Sequence, residues 1–270
     1  MIRRSPWLPA CLGLLLLAGC AGRTPESPER DGAPTYRSDI DLDRIPDAVP
    51  RPEPRSPYGN PPTYAVFGQT YRVMPSSAGY VERGIASWYG TKFHGRRTSS
   101  GEPYDLYAMT AAHKSLPLPT YVRVTNLENG RSIVVKVNDR GPFHDNRVID
   151  LSYAGAYKLG MLGRGTAKVE VRAIDPRRPQ QLPPAPPAPP PGHAPDIFLQ
   201  AGAFASEQNA QRFRARLERA LARQVRIQPI TQPQPLYRVQ IGPLASVEQA
   251  DVVTTELRQL GVNGVHVVLD

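Results

Sequence analysis

Cysteine is almost absent from this 270-residue chain. Only Cys11 and Cys20 occur, and both lie in the first 20 residues. A disulfide framework is therefore excluded for the rest of the chain, whose folded parts must be held by hydrophobic cores. Blocks of Lys and Arg interleaved with aromatic residues are also missing. The formal charge of +9 therefore indicates a membrane surface or an anionic polymer more than a nucleic acid.

Long hydrophobic runs are missing too, and the longest one resembles an export signal. Arg3 and Arg4 precede the apolar run LPACLGLLLLAGC, which is short for a transmembrane helix. The run ends in LAGC, which resembles a bacterial lipobox, in which Cys20 would carry lipid and become the mature N-terminus. Ala21 follows in place of an aspartate, and in Gram-negative lipoproteins this resembles outer-membrane sorting. The alternative is an ordinary signal peptide that contains a cysteine by chance.

Proline is plentiful, with 31 residues, but it is concentrated in patches. Residues 20–57 are rich in Pro, Arg, Asp, Glu and Ser, so they predict a disordered tether after a signal at 1–19. The run RRPQQLPPAPPAPPPGHAP within residues 176–195 predicts an extended linker. Two domains remain, at 58–175 and 196–270, and we expect the linker to let them move independently.

Residues 58–175 read as several short strands and one or two short helices. Apolar residues alternate on both sides of the turn sequence NLENG, which predicts a hairpin between Thr120 and Phe143. The sequence RVIDL predicts a strand that leads into a helix, with Ala154, Tyr157 and Leu159 towards the core. This pattern favours a small β-barrel.

Residues 196–270 contain an internal repeat. IFLQAGAFASEQNA from Ile197 matches YRVQIGPLASVEQA from Tyr237. Each copy predicts a strand, a glycine turn and a helix start, so the order is βαββαβ with both helices on one sheet face. The other face is then open to a ligand. The predicted core stripes of the two helices are Ala210, Phe213, Leu217 and Leu221, and Ala250, Val253, Leu257 and Leu260.

Candidate chemistry in the first domain centres on Asp139, where a strand ends. Asp139 has the parity of Val135 and Val137, so alternation directs its carboxyl group to the apolar side. Such desolvation raises the pKa of a carboxyl group and suits it to acid–base catalysis. The alternatives are a turn-capping ion pair of Asp139 with Arg140, an exposed turn residue for Glu102 and a structural histidine for His113. The histidines lack the spacing of metal ligands, so neither metal nor cofactor is expected.

Five motifs of the first domain occur together and in order: GIASWYG, TSSGEPYD, TAAHKSLP, VNDRGPF and IDLS. They resemble the rare lipoprotein A (RlpA) family, whose first domain is a six-stranded double-psi β-barrel. The second domain, with QAGAFAS and QIGPLAS, resembles the SPOR domain, which binds peptidoglycan strands stripped of stem peptides at division sites. The expected fold is therefore mainly β plus α+β, a barrel followed by a βαββαβ domain.

The resemblance implies a lytic transglycosylase that cleaves peptide-free glycan strands. Such an enzyme uses the sugar's own C6 hydroxyl group as nucleophile, and one carboxyl group acts first as acid and then as base. The family's essential aspartate falls on Asp139, and Glu102, Asp105 and His113 match other polar positions of its cleft. The alternatives are a hydrolase that uses water, as family 45 endoglucanases do, and a non-catalytic wall binder that resembles expansins.

The SPOR resemblance implies a glycan-binding sheet face. Strand alternation puts Phe198 and Gln200 on one face, and Arg238 and Gln240 on one face, so these four residues are the candidate glycan ligands. We expect a monomeric lipoprotein on the periplasmic side of the outer membrane, enriched at the septum, with peptidoglycan strands as its partner and no nucleic acid.

Overall fold

The computed structural model describes residues 31–34, 40–178, 181, 183–187, 190, 194–231 and 235–270. The predicted signal sequence, the lipobox with Cys20 and the first part of the tether lie outside these residues. In the described part, no helix combines the length and the hydrophobicity that crossing a membrane requires.

Residues 40–62, which we call the N-terminal strap, lie along the first domain. The N–H of Ala48 donates to Val134 O at 3.0 Å, and the N–H of Ser56 donates to Leu118 O at 2.8 Å. Disorder was predicted up to residue 57 because large apolar residues are few. Residues 40–57 are instead placed by backbone hydrogen bonds and polar side chains, which hydrophobicity does not reveal.

Glu53 is the strap's most strongly held charge. Its carboxylate accepts hydrogen bonds from Lys136 Nζ at 3.0 Å and from Arg51 Nε at 3.2 Å, and also from the Tyr121 hydroxyl group. Burial opposes its ionisation, but the hydrogen bonds from Tyr121, Lys136 and Arg51 outweigh burial and lower the pKa of Glu53 to about 2.

A two-stranded hairpin follows the strap and precedes the barrel. Its strands are β1 (Thr63–Val66) and β2 (Gln69–Arg72), which pair in antiparallel register. The short motifs of the sequence did not predict this hairpin.

Six further strands close into a barrel. They are β3 (Val81–Trp88), β4 (Thr110–His113), β5 (Thr120–Asn126), β6 (Ser132–Asp139), β7 (Arg147–Leu151) and β8 (Ala167–Ala173). Their order around the barrel is β3-β7-β4-β6-β5-β8, and β3 pairs with both β7 and β8. The β3–β7 and β4–β6 pairs are parallel and the others antiparallel. The predicted six-stranded barrel is confirmed, as is the hairpin of β5 and β6.

The barrel core consists of the inward residues of these strands, including fully buried Val122, Val135, Ile149 and Leu151. Helix α1 (Tyr153–Lys158) closes one side, capped by Ser152, whose hydroxyl oxygen accepts from the N–H of Gly155 at 3.2 Å. Ala154 and Leu159 are buried as predicted, but Tyr157 is exposed. Its hydroxyl group points to Asp43 of the strap at 3.3 Å instead of entering the core.

The second domain has the predicted βαββαβ order. Its elements are β9 (Ile197–Phe204), α2 (Glu207–Leu221), β10 (Val225–Ile230), β11 (Leu236–Leu244), α3 (Val247–Gln259) and β12 (His266–Leu269). The antiparallel sheet has the order β10-β11-β9-β12. The helix stripes hold, with Phe213 and Leu221 partly buried at the core edge. Leu260 is the exception: it lies beyond the end of α3 and is 37% exposed.

The second domain packs against the barrel. Arg147 Nη2 lies 2.9 Å from Asp251 Oδ2, and Asn146 Nδ2 donates to Thr254 Oγ1 at 2.9 Å. Two barrel residues, Ile85 and Leu127, join the hydrophobic cluster of the second domain. The proline-rich composition predicted independent motion, but composition carries no information about surfaces that meet at a distance along the chain.

The low pKa of Glu53 predicts an acid-dependent stability. This pKa is lower in the folded chain than its ordinary value of 4.5, so the stabilisation is complete above that value and is lost as the pH falls towards 2. Allowing for partial solvent exposure, we expect Glu53→Gln to lower the unfolding free energy by about 1–2 kcal/mol at pH 7 and to have little effect near pH 2. Urea unfolding across this range checks the prediction, with Glu207→Gln on exposed α2 as control. An equal loss at both pH values would contradict it.

Candidate active site

A register shift decides where Asp139 lies. In the β4–β6 pair, Ala111 faces Val137 but Ala112 faces Asp139, so Asn138 is an extra residue in β6. Such a bulge reverses the alternation beyond it. Asp139 therefore joins the row of Ala112, outside the barrel core, and not the row of buried Val137. The parity argument was wrong about the direction of this side chain, although the strand end was placed correctly.

The carboxylate of Asp139 is anchored through one oxygen only. Oδ1 accepts from the N–H of Ser99 at 2.8 Å, from its hydroxyl group at 2.6 Å, and from the N–H of Arg140 at 2.7 Å. None of the hydrogen bonds among the described residues uses Oδ2. The side chain is half-buried, so one oxygen fixes the orientation and the other is available to a ligand.

Arg140 holds the loops around Asp139 together. Its Nε donates to Gly59 O at 2.8 Å, and its Nη1 donates to His113 O at 3.0 Å and to Leu116 O at 2.6 Å. Its Nη2 lies 3.3 Å from Asn60 Oδ1. No salt bridge links this guanidinium group to Asp139 within the described ranges. The alternative of a simple Asp139–Arg140 ion pair is therefore not what the structure contains.

Glu102 contacts Asn138, the neighbour of Asp139, and is paired. Its Oε1 accepts from Lys136 Nζ at 2.7 Å and its Oε2 from Asn138 Nδ2 at 2.8 Å. Burial opposes its ionisation, but the hydrogen bonds from Asn138 and Lys136 and the lysine charge lower the pKa of Glu102. Lys136 also binds Glu53. Lys136 therefore compensates much of the charge of Glu102.

His113 lies inside the barrel wall. Its Nδ1 accepts from the N–H groups of Ser115 at 3.1 Å and Leu116 at 3.0 Å, so the ring proton belongs on Nε2. Nε2 lies 2.7 Å from the hydroxyl oxygen of Tyr80. Burial, and less strongly the charge of Arg140, lower the pKa of His113 to about 3. The ring is 3% exposed, which matches the structural alternative. His113 contacts the site only through its backbone oxygen, which accepts a hydrogen bond from Arg140 Nη1 in the described part of the chain.

Asp105 is not brought to Asp139 by any described hydrogen bond. Its side chain is exposed, its Oδ1 accepts from the N–H of Tyr107 at 2.9 Å, and it lies 3.9 Å from His94 Nδ1. These contacts shape the turn before β4. The structure therefore brings Glu102 to Asn138, the neighbour of Asp139, connects His113 to Arg140 through a backbone oxygen, and leaves Asp105 on the turn.

Asp150 is a site residue that the sequence reasoning missed. It faces Ala112 from β7, as Asp139 does from β6, so the two aspartates flank one residue of β4. Its carboxyl group accepts from the Ser87 hydroxyl group, and burial raises the pKa of Asp150. The raised pKa expected of a catalytic carboxyl group is thus found here. Asp150 is the aspartate of the motif IDLS, but only the strand order shows that it lies beside Asp139.

The predicted glycan face of the second domain is partly covered. Alternation is confirmed: Gln200 pairs with Gln240 and shares a face with Phe198 and Arg238, opposite the core. Yet Phe198 is 4% exposed and Gln240 is 0% exposed. These two residues cannot be open contact points as predicted, whereas Gln200 and Arg238 retain accessible surface.

Arg226 covers Phe198 and Gln240, and the sequence analysis did not predict this role. Its guanidinium carbon lies 3.4 Å from the centroid of the Phe198 ring, and its Nε donates to Gln240 Oε1 at 2.9 Å. Gln200 Oε1 and Gln240 Nε2 are buried without a hydrogen-bond partner in the described part of the chain. Side chains alternate along VRIQPI, so a strand that buries Val225 directs Arg226 to the opposite face. This alternation could have predicted the position of Arg226.

Two protein-family profiles match the chain. One, described as a lytic transglycolase, matches residues 81–171, and the other, described as a SPOR domain, matches residues 194–267. A solved structure, the RlpA SPOR domain from Pseudomonas aeruginosa, is 29% identical with a TM-score of 0.26. It covers 27% of this chain, and 96% of its own length is aligned.

Curated relatives match over longer stretches. The endolytic peptidoglycan transglycosylase RlpA of Vibrio cholerae serotype O1 is 51% identical over 63% of this chain and 64% of its own length. The protein of the same name from Pseudomonas aeruginosa strain UCBPP-PA14 is 40% identical over 95% of this chain and 95% of its own length. With this identity over nearly the full length of both proteins, the chain belongs to the RlpA family of endolytic peptidoglycan transglycosylases.

Proposed function

We propose that this chain is a peptidoglycan lytic transglycosylase that cleaves within glycan strands and leaves 1,6-anhydro ends. The observation that carries this proposal is the geometry of Asp139. Three donors anchor one oxygen, and no hydrogen bond among the described residues uses the other oxygen of this half-buried side chain. A positioned carboxyl group with one available oxygen suits a proton transfer to and from a substrate.

The reaction needs one proton-carrying group and no water. Asp139 protonates the glycosidic oxygen as its bond to C1 breaks, and the positive charge that develops on the sugar ring resembles an oxocarbenium ion. The C6 hydroxyl oxygen of the same sugar then bonds to C1, and Asp139 takes its proton. The carboxyl group returns to its starting state, and one strand becomes two.

Neighbouring groups divide the supporting roles. Asp150 keeps a proton to higher pH than an ordinary aspartate because it is buried, so it is a second proton-carrying group beside Asp139. Glu102 is ionised, and its contacts with Lys136 and Asn138 fix the end of β6 that carries Asp139. His113 remains neutral at physiological pH and supports the loop that holds Arg140.

The substrate class and cellular address follow from the second domain and the family. Accessible Gln200 and Arg238 offer an amide and a guanidinium group to sugar hydroxyl groups. We assign strands without stem peptides as the substrate, because both family resemblances share that preference. The chain is further assigned, as a monomer, to the septal peptidoglycan and, through lipid on Cys20, to the periplasmic face of the outer membrane.

Asp139→Asn tests the catalytic assignment, because it keeps the size of the side chain and removes the titratable proton. We expect product release from amidase-treated sacculi to fall about 10²–10⁴-fold while strand binding persists. Mass spectrometry of the products provides the measurement: an anhydro end is one water lighter than a hydrolysed end.

Intact sacculi and the conservative Asp105→Asn variant are the matched controls. Little product is expected from intact sacculi with the unchanged enzyme, and near-normal turnover is expected for Asp105→Asn because its side chain lies apart. Undiminished anhydro products from Asp139→Asn would contradict the assignment. Products heavier by one water would show that the enzyme is a hydrolase.

The double variant Gln200→Ala/Arg238→Ala tests the binding face in the full-length chain fused to a fluorescent protein. Each lost hydrogen bond costs about 0.5–1.5 kcal/mol, so the loss of both weakens binding roughly tenfold and disperses a septal signal. Glu207→Ala on α2 is the control on the opposite side of the sheet. Retained septal fluorescence in the double variant would show that another surface binds the septum.

Cys20→Ala tests the lipid anchor. Without the thiol group no lipid can be attached, so we expect the chain to move from the membrane fraction to the soluble periplasmic fraction. Immunoblots of fractionated cells show the distribution, and Cys11→Ala is the matched control. An unchanged membrane fraction for Cys20→Ala would refute the anchor.

A further inference from the structure

The turn of the β1–β2 hairpin carries an unusual residue. Val66 pairs with Gln69, so Phe67 and Gly68 form a two-residue turn, with φ values of +50° and +77°. Positive φ at both positions is typical of a type I′ turn, which Asn-Gly or Asp-Gly usually occupies. A bulky aromatic residue is disfavoured at positive φ. Phe67 is also 92% exposed, so neither turn preference nor core packing explains it.

The hairpin is fixed beside the catalytic loop. The rings of Tyr64 and Tyr71 stack at 5.3 Å, and both pack against Phe143, at 6.3 and 5.5 Å. The hydroxyl group of Tyr64 donates to Lys114 O at 2.7 Å. Since Phe143 follows Asp139 in the same loop, the aromatic contacts orient the turn relative to the active site. Phe67 is therefore held in place on a fixed support.

The ring of Phe67 borders a cleft between the two domains. The cleft has a volume of about 460 Å³, and its lining includes the turn with Gln69, the loop 262–265 of the second domain, Asp145 and Arg258. Asp145 and Arg258 form an ion pair. One wall is thus aromatic and the others carry amide, carboxylate and guanidinium groups. Asp145 lies two residues beyond Phe143, so one lining residue of the cleft belongs to the loop that follows Asp139.

We propose that this cleft is an additional binding site for the glycan strand, in which the Phe67 ring stacks on the face of an N-acetylated hexose. Gln69 and Asn263 supply amide groups for the hydroxyl and acetamido groups of the same sugar. The site rests on the proposed function, since it extends the strand that occupies the cleft of Asp139. It also places one sugar against both domains at once.

Phe67→Asn is the most informative variant, because asparagine suits the turn and the fold should be retained. Phe67→Tyr keeps the ring, and Val252→Ala removes an exposed apolar group of α3 that does not line the cleft. Binding of amidase-treated, size-fractionated strands is measured in the full chain carrying Asp139→Asn, so that no cleavage occurs. We expect Phe67→Asn to weaken binding of long strands about two- to tenfold, the range of an aromatic contact.

Phe67→Tyr and Val252→Ala should bind long strands as the parent does, and short fragments should show no difference among the variants. In the cleavage-competent chain, Phe67→Asn should raise KM for long strands and leave kcat unchanged. Equal strand binding by Phe67→Asn and the parent overturns the site. If the unaltered chain releases no anhydro products, the proposed activity fails, and the binding comparison still decides whether this cleft holds glycan.

Discussion

The register of β4 against β6 controls the site, because it decides on which side of the barrel wall a carboxyl group appears. Without the extra residue Asn138, alternation would send Asp139 into a core of valine and isoleucine side chains, where an unpaired charge costs several kcal/mol. With the bulge, Asp139 lies in the row of Ala112 and Asp150. Ala112 is small, and the two carboxyl groups therefore lie on either side of it on the same face of the barrel wall.

The carboxyl groups near the end of β6 have different surroundings. Asp139 is anchored by Ser99 and Arg140, Glu102 is held ionised by Asn138 and Lys136, and burial raises the pKa of Asp150. Lys136 also binds Glu53 of the strap, so the strap contributes to the charge balance at the cleft rim. A segment with few apolar residues thereby becomes part of the site through charge and backbone hydrogen bonds.

The parts of this fold that sequence could predict depend on local periodicity. The β5–β6 hairpin, the helix stripes through Leu217 and Leu257, and the sheet face of Gln200 follow from alternation or from 3.6-residue spacing. The direction of Asp139 could not follow, because a bulge is a property of two paired strands. For the same reason Asp150 was missed: its neighbour in space comes from strand order. Leu260 was misplaced because the helix ends one residue earlier.

The packing of the second domain on the barrel restricts the motion that the proline-rich linker would otherwise allow. An extended linker between free domains would set only a maximum distance between binding and catalysis. Here Arg147 contacts Asp251, and Asn146 contacts Thr254. These contacts hold the start of β7 against the surface of α3. Asn146 directly precedes β7, and Arg147 is its first residue. This strand carries Asp150. Under the proposed function, a glycan strand bound by the second domain would therefore reach Asp139 at a defined position, and the binding energy would orient the bond to be cleaved.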